Sequence, residues 1–261
     1  MNYINVEDIN ALELQIYQQM RDQFFKESDS FVADSPKVVN TLLESKVEVK
    51  SILATREYYE EHRELLLESK IPLIYLATKE QMQSIVGHKI HHNCMLHATR
   101  PSMTPLADLG DEIIMLDAIT STENIGSIAR GAAALGVGSY LLPKDAPHPY
   151  SRRALRVSMG HVTKLKYNIY ENIFETIKTL QANGYKVFAA EVSPVAIKLQ
   201  KVEVPKKWVI LMGHEGKGLS QEVIDMCDAC IEIEMMGDVR SFNVAVAASI
   251  LMYHFKTDKK E

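Results

Sequence analysis

Cysteine is scarce and odd in number, three in 261 residues, and only Cys227 and Cys230 stand close together. A single C-x-x-C without a second pair does not complete a zinc site. The two thiols read as compact apolar side chains leading into a strand, with redox chemistry as the lesser alternative. Positive charge is not in excess either. Lys and Arg number 29 against 34 Asp and Glu, a formal net charge of -5, which excludes a uniformly basic nucleic-acid coat but not a local basic patch. Long apolar runs are missing as well. None reaches the roughly 18 residues of a membrane span, and the opening "MNYINVEDIN" has neither the basic nor the apolar region of a secretion leader. The expectation is a cytoplasmic protein with no membrane partner.

What is present fits a packed globular chain: 46% hydrophobic and 24% charged residues, at a length for one large domain or two moderate ones. "GHKIHHNCMLH" gathers His88, His91, His92 and His97, and three imidazoles can in principle bind a metal. The spacing matches no defined ligand set, so surface or turn histidines and no metal are expected.

Apolar periodicity divides the chain. Leu12, Ile16, Met20 and Phe24 recur every fourth residue and predict one helix over residues 8–28. Ser35-Pro36 looks like an N-cap followed by a first-turn proline. Strand and helix patterns then alternate through "VEVKSILAT", "REYYEEHRELLLES", "IPLIYLA", "KEQMQSIVG" and "NCMLHAT". "RPSMTPLADLGD" interrupts both periodicities and sets a boundary near residue 107. The expected parts are a helical extension 1–29, a small α/β domain 30–107 and a second domain 108–261. In the second, apolar strands such as Trp208 to Met212 alternate with helices, which predicts a mostly parallel sheet covered on both faces.

Ligands of such sheets bind beyond the carboxyl ends of the strands, and three turns there are unusual. In "ENIGSIAR", Thr120 and Glu123 have capping-box spacing, and Gly126 and Arg130 share a helix face. Gly126 either clears space in front of the guanidinium for a ligand or permits close helix packing beside a solvated Arg130. "GHEGKGLS" fits neither the P-loop nor the G-x-G-x-x-G template, yet its glycines expose backbone groups to a flat heterocycle and Glu215 sits among them. In "EMMGDVRSFNVAVA", Ser241 can cap the last helix and Asn243 projects from its first turn.

Together the three segments resemble the SpoU (TrmH-like) family of RNA ribose methyltransferases in the SPOUT superfamily. N-x-G-x-x-x-R is present as Asn124, Gly126 and Arg130, G-x-E-x-x-G-L as Gly213, Glu215, Gly218 and Leu219, and the third motif as "IEMMGDVRSFNVAVA". The resemblance covers residues 112–256. Glu234 stands where the family usually has Pro, and Phe242 where it has Leu. The resemblance implies an α/β fold with a C-terminal trefoil knot, an exception to the rule against threaded loops. It also implies S-adenosylmethionine as donor, RNA (rRNA or tRNA) as substrate and a homodimer. Leu211, Met212, Gly213, Gly218, Ile233, Met235, Phe242 and Asn243 would hold the donor. Arg130, Asn124, Glu215, Ser241 and Asn243 would line the reaction centre. Residues 30–100 are similar to the family's small RNA substrate-binding domain. Arg130 with Arg152, Arg153 and Arg156 would contact RNA, a solvated helix face being the alternative for the last three.

The implied reaction needs no metal. A 2′-hydroxyl is a poor nucleophile until a base or a cation assists its alkoxide. A guanidinium, with a pKa above about 12, suits the cation's role better than the base's, although a base role stays open. A non-catalytic RNA-binding protein on the same scaffold is the competing reading. A dinucleotide oxidoreductase is disfavoured because Gly136 and Gly138 follow a helix and precede a strand, the reverse of the required order.

Overall fold

The computed structural model describes residues 3–19, 22–25, 28–239 and 241–257. The chain folds into two compact units, Met1–Ser102 with His148–Thr163, and Met103–Pro147 with Lys164–Glu261. The first begins with β1 (Tyr3–Asn5), β2 (Ser30–Asp34), α1 (Pro36–Glu44), β3 (Val49–Ala54), α2 (Arg56–Glu61), α3 (Arg63–Glu68), β4 (Ile74–Leu76), α4 (Lys79–Val86) and β5 (Cys94–Thr99). Its sheet has the order β1-β4-β3-β5-β2, with β5 antiparallel to both neighbours.

The helix expected over residues 8–28 is absent as such. The described part holds two short 3-10 helices, Leu12–Gln18 and Asp22–Phe25, and Met20 lies outside the described residues. Spacing explains the difference. Leu14 and Tyr17, three apart, are the buried pair, and the Tyr17 hydroxyl lies 2.8 Å from Ser51 Oγ. Roughly three residues per turn puts them on one face, whereas the i, i+4 stripe leaves Leu12 and Phe24 exposed. Ser35 precedes α1 at φ 78° without a side-chain cap. The histidines also depart from expectation: His88 and His91 are exposed, but His92 is buried and His97 lies in β5.

After Ser102 the chain builds β6 (Glu112–Leu116), α5 (Thr122–Leu135) and β7 (Ser139–Pro143), returns to the first unit for α6 (Arg152–Ser158), then adds β8 (Lys166–Tyr170), α7 (Ile173–Ala182), β9 (Lys186–Ala190), β10 (Ile197–Lys198), β11 (Trp208–Met212), α8 (Gln221–Met226), β12 (Ala229–Glu232) and α9 (Val244–Thr257). The second unit's sheet is parallel throughout, in the order β10-β12-β9-β11-β6-β7-β8. Strands β6, β7 and β11 are buried along their whole length, as continuous apolar runs require when both faces are covered. The chain travels outward from β6 to β8 and then returns to the far side of β6. The strand order therefore reverses at β6 and β11, where an open α/β sheet leaves a crevice. Register sharpens this: Met212 pairs with both Leu116 and Ala190, so β6, β9 and β11 end level.

Candidate active site

The turns leaving those level ends meet. Ser121, not Thr120, caps α5, accepting a hydrogen bond from the Asn124 backbone N–H at 3.3 Å. Asn243, not Ser241, starts α9: its Oδ1 accepts from the N–H of Ala245 at 2.9 Å and of Val246 at 3.4 Å. That bond orients the amide, so Asn243 Nδ2 donates to Asn124 Oδ1 at 3.1 Å, and Asn124 Nδ2 donates to Glu215 Oε1 at 2.8 Å. Each link fixes the next, and a carboxylate ends the chain with its second oxygen unbonded among the described residues. Such a group can accept a proton or orient a hydroxyl. Arg130, two turns into α5, is exposed and has no hydrogen bond or ion pair among the described residues.

Beside this chain lies a cavity of about 290 Å³ at the ends of β9, β11 and β12. Of the residues expected at a cofactor, Met212, Gly213, Gly218, Ile233, Met235 and Phe242 line it, as does Ser241. Leu211 and Asn243 do not: Leu211 is buried in the core of the second unit, and Asn243 is engaged with Asn124 and Ala245 at the start of α9. Gly213 makes a tight cradle possible. A Cβ there would stand 2.6 Å from Gly218 C and 2.7 Å from Leu219 N, backbone atoms with little room to yield. Glu234, in the position usual for Pro, pairs with Lys198 at 2.8 Å, which ties the third motif to β10.

Among the lining residues that escaped the sequence reading, His214 and Glu191 shape the loop. His214 Nδ1 accepts from the N–H of Gly216 at 2.9 Å and of Lys217 at 3.2 Å, folding the loop on itself. Glu191, just after β9, accepts from Leu219 N–H at 2.9 Å. The glycine spacing of "GHEGKG" announced a bent loop, but no local signal pointed to a glutamate 28 residues away. The cysteines behave as apolar groups: burial, then Asp228 and Cys230, pushes the Cys227 thiol up to about 12, and burial raises Cys230 as well.

The arginines of α6 belong to the first unit. Arg152 Nε donates to Asp34 Oδ2, and Arg156 Nε and Nη2 donate to Asp34 Oδ1 at 3.0 and 2.6 Å. Asp34 is fully buried; Arg156 keeps 47% of its side chain exposed. Burial opposes ionisation of Asp34, but Arg152 foremost, with His92 and Arg156, keeps its carboxyl below the usual range. Arg153 is exposed on the other side of the helix.

A family model described as the SpoU rRNA Methylase family matches residues 111–253, which contain every residue of the cavity and of the Glu215 chain. The chain belongs to the SpoU rRNA methylase family. A putative TrmH family tRNA/rRNA methyltransferase of Staphylococcus aureus is 34% identical over 141 residues, 54% of this chain and 56% of that protein. This chain thus spans about half the length of such curated relatives. The 23S rRNA (guanosine-2'-O-)-methyltransferase RlmB of Acinetobacter baylyi is 27% identical over 82% of this chain and 92% of its own. An AdoMet-bound rRNA methyltransferase from Sinorhizobium meliloti superposes with a TM-score of 0.86 over 99% of each chain, at 21% identity. The likeness in fold therefore covers residues of both units, and the SpoU family match is confined to residues 111–253.

Proposed function

We propose that this protein transfers a methyl group from S-adenosylmethionine to a ribose 2′-hydroxyl of structured ribosomal or transfer RNA, acting in the cytoplasm as a homodimer with the knotted C-terminal segment that the family resemblance implies. The observation that carries this reading is the bonded series Asn243, Asn124, Glu215 beside a glycine-cradled cavity. The residues present suit the donor: Met212, Gly213 and Gly218 offer backbone at close approach, while Ile233, Met235 and Phe242 offer apolar walls to an adenine. The bound donor supplies an electrophilic methyl on a sulfonium, and the protein's part is to hold an oxygen about 3 Å from it.

Glu215, fixed through Asn124 and Asn243, orients the ribose hydroxyl or takes its proton. Arg130 faces solvent as a permanent cation, suited to a ribose phosphate and to the emerging alkoxide. Exposed Val246 and Tyr253 on α9 give a second copy an apolar face to cover. The small first unit, with Arg153 and Arg156, contacts RNA. The competing reading, an RNA-binding protein without catalysis, is disfavoured because the reaction-centre side chains are retained and three of them, Asn124, Glu215 and Asn243, are bonded to one another.

Labelled methyl transfer to ribosomal and transfer RNA, followed by nucleoside mass spectrometry, tests the assignment. A 2′-O-methylated nucleoside is expected; a base-methylated product, or none, overturns it. Arg130→Ala should lower transfer by about 10²- to 10³-fold, the range for loss of one charge-stabilising group, while calorimetric donor affinity stays within about twofold. Retained turnover removes Arg130 from the reaction centre.

A further inference from the structure

Glu191 follows β9 and lines the same cavity, yet it lies outside all three family motifs. Both of its carboxylate oxygens are engaged by backbone. Oε2 accepts from Leu219 N–H at 2.9 Å, and Oε1 accepts from the N–H of Val192 at 3.1 Å. Its own backbone is also fixed: Glu191 N–H donates to Ile231 O at 3.1 Å, and Cys230 Sγ donates to Glu191 O at 3.5 Å. The glutamate therefore joins the end of β9 to β12 on one side and to the 213–219 loop on the other.

Gly218 supplies the second, independent observation. Its φ of 66° already favours glycine, and a Cβ built on it would stand 2.0 Å from Glu191 Oε2. The carboxylate occupies the place a side chain at 218 would take. Gly218 N–H meanwhile donates to His214 O at 2.8 Å, closing the loop from within. The two motif glycines then have separate duties: Gly213 lets the loop's two ends touch, and Gly218 admits the carboxylate that holds its far end.

We infer that Glu191 is a positioning residue for the donor loop: its carboxylate, seated in the space left by Gly218, fixes the Leu219 end of residues 213–219 in the conformation that receives the methyl donor. This rests on the donor reading of the cavity. Toward Leu219 its chemistry is that of an acceptor for a backbone N–H, which does not require a charge, so glutamine with its Oε1 toward Leu219 can keep that bond while giving up the one from Val192.

The test is steady-state kinetics with S-adenosylmethionine as the varied substrate, together with calorimetry of S-adenosylmethionine and S-adenosylhomocysteine. Glu191→Ala should raise the donor KM and Kd about five- to tenfold, the effect of losing the hydrogen bond from Leu219 N–H that orders the loop, with kcat within about twofold. Glu191→Gln should restore most of that affinity. Gly218→Ala should reproduce the Glu191→Ala phenotype, and the double variant should fall well short of the product of the single effects, because the methyl group and the carboxylate compete for one place. Unchanged donor affinity in Glu191→Ala, with the wild type binding the donor, overturns the inference and leaves the enzyme reading intact. A Gln variant as impaired as Ala also overturns it, since the negative charge would then be acting directly. Absence of donor binding by the wild type instead removes the reading on which it rests. If Gly218→Ala fails to fold, the Ala and Gln variants at 191 decide alone.

Discussion

Gly213 shows how one missing side chain can shape a site. The nearest atoms to a Cβ there are Gly218 C, Leu219 N and Gly218 O, at 2.6, 2.7 and 2.8 Å. All belong to backbone, so no rotamer change relieves the contact, and an added methyl must separate the two ends of the loop. Overpacking of this kind costs about 1–3 kcal/mol. Gly213→Ala should fold, with a modest fall in melting temperature, and bind S-adenosylmethionine at least about tenfold more weakly by calorimetry; wild-type affinity would mean that the loop's ends need not meet. Glycine, asparagine and glutamate were all visible in the motifs, and the structure gathers Asn124, Glu215 and Asn243 from separate turns. Which polar residue caps which helix was less legible. Ser241 and Asn243 both suit an N-cap, and only the start of α9 decides in favour of Asn243. Glu191 left no trace at all, because its partner is a backbone N–H and carries no side-chain signature.

At the scale of elements, apolar runs were the readable part. β6, β7 and β11 are buried throughout, and their sequences are too uniformly apolar to be anything exposed. The first 3-10 segment was not readable, since a stripe of Leu12, Ile16 and Phe24 satisfies helical spacing while tertiary burial selects Leu14 and Tyr17 instead. The placement of α6 was equally hidden. "SRRALR" reads as a basic helix face, yet Asp34, 118 residues away from Arg152, draws two of its three arginines onto β2. That carboxylate has no solvent, and two guanidiniums compensate its burial. Removing one partner of a buried ion pair costs about 3–5 kcal/mol, so Asp34→Ala should lower the first unit's unfolding free energy by that order in urea titrations. Arg156→Ala, at a half-exposed site, should cost about 1 kcal/mol or less. Equal losses for both variants would show that the carboxylate is not the centre of the cluster.

For the whole molecule, acid should discriminate between the two units. His92 and His97, both in the first, are each pulled down to about 4 from an ordinary 6.5. Burial is the main cause for both, assisted at His97 by Lys50; at His92 Asp34 opposes the shift while Arg152 and Arg156 add to it. A histidine depressed in the folded state leaves the unfolded chain binding more protons between the two values. Stability therefore falls as pH falls from about 6.5 to about 4, by up to ~1.4 kcal/mol per pH unit for each histidine. Asp34 acts in the same direction at lower pH: its carboxyl is depressed, so the stability it contributes above the ordinary carboxylate range is lost as pH falls through its folded value. The second unit carries an opposing group. Asp117 is raised by burial and then by Asp145, against a hydrogen bond from Tyr170, so its contribution is present at low pH and is lost as pH rises through its folded value. Scanning calorimetry between pH 7 and 4.5 should accordingly show the first unit's transition moving to lower temperature and separating from that of the second. His97→Gln should remove about half of the pH slope. A melting profile that shifts as one transition, or a slope unaltered in His97→Gln, would place the acid sensitivity outside these two imidazoles.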